Sequence, residues 1–422
     1  MCRHPDEYDR AGQRVGPVYE IQKGSAFKKA MSATNLLYKN VPGEKKPKKL
    51  NFAKIWLDSR DAAEYSKRMF CPPDKQPQGT FNLYRGPGIS REQAETAYPN
   101  LKDALDTCKP VRDHLLHIWN RGSHRDLDYT EKYFATLVQD PFNKMGTALV
   151  IVGERGSGKD VIMEFVRACV GSSFKEIHHT KSVLGAFNGI LEDALVCYFN
   201  EVDFTGDKKA ATGELQALIT QEKQVINKKF IPRGVFDSYM NVVICTNNVH
   251  AVPVKAKARR YVCRETDSKW AGPDTPEKTA YFKSIRAVPK EAVARWWYSI
   301  DTSDFNPRSG VLNDCLVAQM KMSMQPVEQY LHESFTEGQI CGRELSEEDT
   351  IDVSKDDVWQ AYTDQNNSGK VHFWRAVNLI MGDVVKDARP GGKYTKIFPA
   401  IQECKAQFDK YFGMTAGFSM FD

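Results

Sequence analysis

Short apolar runs alternate with amphipathic stretches through the middle of the chain, and this pattern defines its predicted elements. Continuous apolar runs at 148–152, 195–199 and 242–245 have the length of strands, and uninterrupted hydrophobicity is typical of strands covered on both faces of a sheet. Apolar residues recur at helical spacing in 161–170, 206–221 and 276–300. Strands that alternate with helices predict an α/β fold.

Further elements flank this alternation. Residues 100–140 are predicted to form a helical collar, divided at 122–123 and ended by Asp140-Pro141. A linker at 305–310 precedes one long predicted helix from Val311 to about Phe335. The last stretch has the order helix, helix and hairpin, which predicts a winged-helix-like unit, although a small assembly module is the alternative. Its candidate phosphate contacts are Arg375, Lys386, Arg389, Lys393 and Lys396.

Length and composition set the domain count and the class of protein. The 422 residues are too many for one compact core, so we expect two or three domains. No apolar stretch reaches the roughly 18 residues that span a bilayer, and the polar N-terminus lacks a signal-peptide core, so we expect no membrane partner. The predicted bounds are an N-terminal arm with a short α/β segment at 1–99, the collar at 100–140, the α/β core at 141–300, a linker helix at 301–335 and the winged-helix-like domain at 336–422.

Charge and cysteine content add weaker constraints. A net charge of +5 permits a nucleic-acid partner without demanding one. The ten cysteines form no C-x-x-C pair, and Cys169, Cys197 and Cys245 lie in apolar runs. This pattern favours buried free thiols in a reducing, intracellular compartment. The basic patch at 45–49 belongs either to a solvated arm or to a phosphate-contacting or nuclear-targeting segment.

The segment between the strand at 148–152 and the helix at 161–170 fits the pattern G-x-x-x-x-G-K. Its glycines can adopt conformations that turn successive N–H groups toward phosphate oxygens at a helix N-terminus, and its lysine adds a positive charge. A glycine-rich turn with a chance lysine is the alternative, but the flanking strand and helix favour a nucleotide site. The predicted nucleotide-binding residues are Gly153, Glu154, Arg155, Gly156, Ser157, Gly158, Lys159 and Asp160.

Polar residues at the ends of the next strands extend this predicted site. The run 195–199 ends in Asn200-Glu201, and the carboxyl end of such a strand lies beside a phosphate loop. There Glu201 is predicted to polarise the attacking water; a solvent-facing strand cap is the alternative. Asn247 follows the run 242–245, and its amide is predicted to bond the same water and the γ-phosphate.

The expected ligands are ATP and Mg²⁺, but two positions depart from the usual metal pattern. Asp160 stands where Ser or Thr usually binds Mg²⁺, and Asn200 stands where an Asp usually holds the water shell of the metal. The candidate metal residues are therefore Asp160, Asn200 and Glu201. One hypothesis is a charge exchange, in which the carboxylate missing at Asn200 is supplied at Asp160.

Basic residues on later segments complete the set of candidate functional residues. Arg259 and Arg260 precede a strand-like segment and are candidates for an arginine finger that reaches the ATP of a neighbouring subunit. A predicted hairpin carries three cations that project from its loop, namely Lys228, Lys229 and Arg233.

The order of these motifs resembles superfamily 3 helicases, and most closely the helicase portion of poxvirus- and phage-type primase-helicases. The motifs are GERGSGKD, CYFNEVD, the basic KKF stretch and ICTNN followed by ARRY. Phe187-Asn188, Leu191-Glu192-Asp193, the GDKK at 206–209 and the upstream FNLYRG are also similar to that family. The resemblance covers residues 80–300 well and the C-terminal tail more loosely.

This resemblance implies a P-loop ATPase core of the AAA+ type that forms a homohexamer and moves along single-stranded or forked DNA. It implies replication of a virus, phage or mobile element, in the cytoplasm or nucleus of the host cell. Lys159 would bind phosphates, Glu201 would be the catalytic carboxylate and Asn247 the sensor. Arg259 or Arg260 would be the finger, and Lys228 and Lys229 would face the central channel.

Several expectations remain open from the sequence. The first 80 residues are too short for the primase domain that this family often carries, so a separate primase or polymerase is an expected partner. A DNA-binding ATPase that acts as a loader or switch without unwinding is the main alternative to a helicase. A degenerate motor that serves as a structural ring is a second alternative, and a small-molecule kinase is a disfavoured third.

Overall fold

The computed structural model describes residues 65, 67–202, 204, 210–229, 231–309, 312–363, 369–415 and 417–421, together with strand segments at 2–3, 19–20, 36–39 and 48–51. The side chains of the basic patch at 45–49 and the GDKK motif at 206–209 lie outside this described part. The chain divides into two units, one of residues 1–88 with 171–173 and one of residues 89–170 with 174–422. Every described helix is too short or too polar to cross a bilayer.

The regular elements described in the first unit are short strands and one 3-10 turn at Pro73–Lys75. The described strands are β1 (Cys2–Arg3), β2 (Tyr19–Glu20), β3 (Leu36–Lys39), β4 (Lys48–Asn51), β5 (Lys67–Met69) and β6 (Thr80–Asn82). β5 and β6 are parallel, and β6 ends at Asn82. It ends there because the Asn82 side chain bonds both the N–H and the carbonyl of Cys71.

A five-stranded parallel sheet forms the centre of the second unit, as the apolar runs predict. The strands of the second unit, from β7 to β13, are β7 (Ala148–Val152), β8 (Phe174–Ile177), β9 (Val196–Asn200), the hairpin β10 (Lys223–Lys228) and β11 (Ile231–Asp237), β12 (Asn241–Thr246) and β13 (Tyr261–Glu265). The order in the sheet is β13-β7-β12-β9-β8, so β12 lies between β7 and β9. β7, β9 and β12 are buried along their length apart from the half-buried last residue of β9, because helices cover both faces.

The helices of the second unit surround this sheet and continue into a C-terminal subdomain. They are α1 (Arg91–Ala97), α2 (Leu101–Thr107), α3 (Lys109–His114), α4 (His124–Gln139), α5 (Val161–Val170), α6 (Lys181–Leu184), α7 (Ala210–Thr220), α8 (Pro276–Arg286), α9 (Lys290–Ser299), α10 (Asp314–Met322), α11 (Pro326–Thr336), α12 (Lys355–Thr363), α13 (Lys370–Met381) and α14 (Ile401–Phe412). A π-helical turn at Leu115–Trp119 extends α3. Ser123 caps α4 at the predicted break, and α4 ends before Asp140-Pro141 as expected.

The single long helix predicted from Val311 to about Phe335 is wrong. The structure has two helices there, α10 and α11, which are separated at 323–325. Pro326 is the reason, because proline lacks an N–H donor and disfavours helical backbone in the residue before it, so it occupies the first position of a new helix.

The C-terminal subdomain contains the predicted helices and hairpin and four elements that the sequence reasoning missed. Ser354 caps α12 by accepting the N–H of Asp356. The hairpin of β17 (Lys386–Ala388) and β18 (Thr395–Phe398) also forms, and β16 (Ile351–Ser354) adds a third strand beside β18. The missed elements are β16, the terminal helix α14 and two antiparallel strands of two residues each, β14 (Gln339–Ile340) and β15 (Arg343–Glu344).

A buried ion pair connects the collar to the edge of the sheet. Arg264 on β13 is 3% exposed, and its guanidinium lies 2.9 Å from the Asp126 carboxylate on α4. Burial lowers the pKa of Arg264, and the nearby Asp126 opposes that shift. Removing one member of such a pair leaves an uncompensated buried charge.

We expect Asp126→Asn to lower the free energy of unfolding by about 2–3 kcal/mol, somewhat below the range for fully buried pairs. The discount applies because the Asp126 side chain is 27% exposed. Asp128→Asn is the matched control, since Asp128 is 64% exposed and pairs with Lys132 at 3.4 Å. The control should change stability by less than about 1 kcal/mol. Urea unfolding of both variants checks this; equal losses would contradict it.

Candidate functional site

The loop between β7 and α5, residues 153–160, has the shape of an anion cradle. Gly156 and Gly158 have φ of +84° and +90°, a region that favours glycine. Gly153 is required for space instead, because a Cβ there would lie 2.0 Å from the Thr266 hydroxyl. The N–H groups of Gly156, Gly158 and Lys159 donate to no acceptor in the described part of the chain. Free N–H groups at a helix N-terminus bind anions, so the loop fits a phosphate chain.

Three predicted site residues meet at the carboxyl edge of the sheet. The Lys159 ammonium is buried, lies 2.7 Å from Glu201 Oε1 and bonds the Asn247 side-chain oxygen. The Asn247 N–H donates to Glu201 Oε2 at 3.2 Å. They meet because Glu201 follows β9, Asn247 follows β12, and Lys159 lies on the loop after β7, on adjacent parallel strands.

Glu201 is held in a strained backbone conformation. Its φ is +55°, which is uncommon for a residue with a Cβ. Its N–H donates to the Cys245 carbonyl at 2.9 Å, so the turn is fixed against the neighbouring strand. Strain of about 1–3 kcal/mol in a non-glycine residue persists where surrounding contacts over-determine it, often at functional sites.

Asp160 and Asn200 have separate partners. The exposed Asp160 accepts a hydrogen bond from the Tyr198 hydroxyl at 2.9 Å. Asn200 donates to Glu176 at 3.0 Å, while its own side-chain oxygen is buried and has no hydrogen-bond partner among the described residues. Within the described residues, no group of three His, Cys, Asp or Glu is arranged to hold a metal. The oxygens fit a Mg²⁺ ion only if substrate phosphates and water supply most of its ligands.

His114 supports the loop from the collar, and sequence reasoning missed it. Its Nε2 lies 3.0 Å from the Gly158 carbonyl, and its Nδ1 lies 3.0 Å from the Tyr281 hydroxyl. Burial lowers the pKa of His114 to about 4, so the ring is neutral near pH 7. Neutral His114 donates from Nε2 to Gly158 and accepts at Nδ1 from Tyr281. No local motif marks this residue, because its partners are 44 and 167 residues away.

Arg259 and Arg260 lie at the opposite edge of the sheet from the glycine loop. Tyr261 pairs in parallel with Ala148 at the start of β7, whereas the loop follows the end of β7. The length of the strand, about 16 Å, separates the two edges. Lys257, just before the pair, has φ +58° and donates its N–H to the Phe412 carbonyl of α14 at 2.9 Å.

The hairpin cations occupy different environments. Lys228 is half-buried and pairs with the buried carboxylate of Glu192. Lys229 at the hairpin turn and Arg233 on β11 are exposed. Val225 and Val235, which face each other across the hairpin, are also exposed. The hairpin therefore presents both charge and apolar surface.

A surface cavity of about 990 Å³ lies in the C-terminal subdomain. One wall is the face of α13 that carries Trp374 and Arg375, and the other holds Lys393 and the exposed Tyr394. Arg375 and Lys393 form no ion pair with a described residue, whereas Lys355 of the cavity pairs with Asp387 at 2.5 Å. The cavity does not include Lys386, Arg389 or Lys396.

Fold and site together define an α/β protein whose glycine loop lies at the carboxyl edge of a parallel sheet. Residues 151–260 match the model of DUF5906, a family of unknown function. No curated protein matches the chain.

Among solved structures, the chain is similar to the apo C-terminal region of NrS-1, residues 305–718. That match has a TM-score of 0.59 at 14% identity and covers 89% of this chain and 90% of the other. Its A-form apo structures match with a TM-score of 0.54 at 13% identity, covering 87% and 95%, and 0.55 at 14% identity, covering 84% and 92%. At this identity the similarity concerns the fold alone.

The His114 contacts predict a specific loss of stability in acid. The folded pKa is lowered from 6.5 to about 4, so the unfolded chain binds a proton first as pH falls. The stabilisation that neutral His114 provides is complete at pH values above the pKa of the unfolded chain. It declines as pH falls toward the pKa of the folded chain, by at most about 3 kcal/mol. Between about pH 7 and pH 4.5, the urea midpoint of His114→Gln should therefore fall less than that of the wild type, because the variant lacks this pH-dependent contribution. Exposed His117→Gln is the control, and identical pH profiles for wild type and His114→Gln would refute the assignment.

Proposed function

We propose that this protein is an ATP-dependent DNA helicase that acts in the replication of a virus, phage or mobile element. The observation that carries the proposal is the meeting of Lys159, Glu201 and Asn247 beside free N–H groups of a glycine loop. A phosphate-binding lysine, a carboxylate and an amide at adjacent strand ends are the groups that hydrolysis of a nucleoside triphosphate requires. The sequence resemblance supplies the nucleic-acid partner.

The proposed mechanism begins with an exchange of partners at Lys159. Without nucleotide its ammonium is neutralised by Glu201. Phosphate oxygens in the glycine loop compete for that ammonium, and the Glu201 carboxylate is then free to orient a water molecule. Asn247 keeps its N–H on Glu201 and so fixes the direction of the carboxylate. Mg²⁺, held by the phosphates with Asp160 and the Asn200 oxygen, would neutralise charge on the phosphates.

Arginine is proposed to act between copies of the chain. Because Arg259 and Arg260 lie about 16 Å from the loop of their own chain, neither side chain can serve its own site. A head-to-tail ring, with a homohexamer as the expected form, brings this edge to the loop of the next copy. The finger then stabilises the charge that develops on the transferred phosphoryl group.

DNA is proposed to contact two surfaces. Lys229 and Arg233 extend from the hairpin toward the ring channel, where a positive surface follows the strand. The C-terminal cavity offers Arg375 and Lys393, which form no ion pair with a described residue, beside the exposed ring of Tyr394. This combination suits the phosphate and base of a single strand.

One observation favours a second candidate function, an ATPase loader or switch that does not unwind DNA. Lys228, expected to face the channel, is bound to Glu192 within its own chain. Strand displacement from a forked duplex separates the two functions. ATP hydrolysis without displacement would support the switch, and displacement that requires hydrolysis would support the helicase.

We expect complementation between two inactive variants. Lys159→Ala and the double variant Arg259→Ala/Arg260→Ala should each lose ATPase activity. In an equal mixture of the two, about a quarter of the subunit junctions of a head-to-tail ring pair an intact Lys159 with intact arginines, and these junctions should hydrolyse ATP. Lys255→Ala, which removes an exposed cation from the same loop, should remain active. Chains shown by sedimentation to co-assemble without recovered turnover would exclude the arginine in trans.

We expect Arg375→Ala to weaken binding of a single-stranded oligonucleotide and to flatten its salt dependence by about 0.7 in the slope of log K against log salt. Lys386→Ala removes the same charge from an exposed strand position outside the cavity and should leave the slope unchanged. Fluorescence anisotropy between about 50 and 200 mM salt measures both slopes. Equal effects of the two variants would mean that the cavity has no specific role.

A further inference from the structure

A second lysine lies against the glycine loop from a segment that the motifs do not include. Residues 266–278, called the cover segment, run from the end of β13 into α8. The Thr266 hydroxyl donates to the Ser157 hydroxyl at 3.1 Å, and the Gly272 N–H donates to the Arg155 carbonyl at 3.2 Å. The cover segment therefore runs alongside the glycine loop and contacts it at Arg155 and Ser157.

Lys278 extends from the cover segment onto the loop itself. A Cβ added to Gly156 would lie 2.5 Å from the Lys278 ammonium nitrogen, so the ammonium touches the loop where glycine leaves space. The ammonium therefore lies beside one of the free N–H groups of the loop.

The local environment of this ammonium is poor for a cation. The side chain of Lys278 is only 6% exposed, and its ammonium has one close acceptor, the Gly272 carbonyl at 2.7 Å. Its carboxylate partner Asp274 is 3.5 Å away and 86% exposed, where water weakens the attraction. Three N–H donors therefore have one good partner among the described residues.

The position of Lys278 on α8 makes its surroundings still less favourable for a cation. Thr275 caps α8, and Lys278 is in its first turn. The positive end of the helix dipole lies there and disfavours a cation. A buried charge at the unfavourable end of a helix is costly unless acceptors or an anion compensate for it, and one carbonyl with an exposed carboxylate at 3.5 Å compensates only in part. The glycine loop is the adjacent place where an anion fits.

We infer that Lys278 is a second phosphate-binding lysine of the nucleotide site, and that it contacts the phosphate chain of the nucleoside triphosphate bound by its own chain. This inference rests on the proposed nucleotide function. Lys159 approaches the phosphates from the sheet edge and Lys278 from the cover segment. The competing explanation is a structural lysine that only holds the Gly272 carbonyl.

Lys278→Met separates these explanations, because they predict opposite results. If Lys278 binds phosphate, the variant keeps or raises its urea midpoint without nucleotide, since a poorly paired buried charge is gone. Its affinity for ATP should fall by about 10- to 100-fold, while its affinity for adenosine should not change. Lys283→Met, on the exposed side of the same helix, is the matched control and should retain wild-type affinity.

A lower midpoint with unchanged ATP affinity would show a structural lysine and overturn the inference. If Lys278→Met does not fold, Lys278→Gln decides, because its amide can still donate to the Gly272 carbonyl without a charge. Wild-type ATP affinity in that variant would also overturn the inference. Wild-type protein that binds no ATP would instead overturn the proposed nucleotide function, and the inference with it.

Discussion

The ion pair between Lys159 and Glu201 is the interaction on which the candidate site depends. A lysine that is 3% exposed loses several kcal/mol of hydration, and the carboxylate at 2.7 Å compensates for that loss. Glu201 in turn occupies a left-handed backbone conformation that is fixed by Cys245. Buried charge and backbone strain are thus stabilised by the same few contacts. The strand order provides them, since β12 lies between the strands that carry the two partners.

The glycine loop owes its shape to segments that are distant in sequence. His114 holds the Gly158 carbonyl from the collar, and Thr266 and Gly272 hold the other side from the cover segment. Each contact is one hydrogen bond of about 1 kcal/mol, so none of them alone determines the conformation. In this conformation the N–H groups of Gly156, Gly158 and Lys159 have no acceptor among the described residues. The conformation of the loop is therefore set by contacts within the protein itself.

The sheet and the meeting of Lys159, Glu201 and Asn247 could be predicted from the sequence. Apolar runs give parallel strands, and residues at the carboxyl ends of adjacent parallel strands must be neighbours. Pro326 shows a signal that was present but not used, since a proline predicts a new helix start. Lys278 and the pairing of Lys228 with Glu192 carry no local signal, because both depend on side-chain contacts that only the folded chain creates. His114 is similar, as it lies within an ordinary helical pattern.

The hydrogen bond between Lys257 and Phe412 joins the end of the last helix to the backbone two residues before Arg259. Lys257 has a φ of +58°, which is unfavourable for a residue with a Cβ, and in this conformation its N–H donates to the Phe412 carbonyl. The C-terminal helix is thus a brace for the arginine-bearing turn. A change in the position of α14 would therefore alter the conformation of the turn before Arg259, so two parts of the chain that are distant in sequence are coupled by one backbone contact.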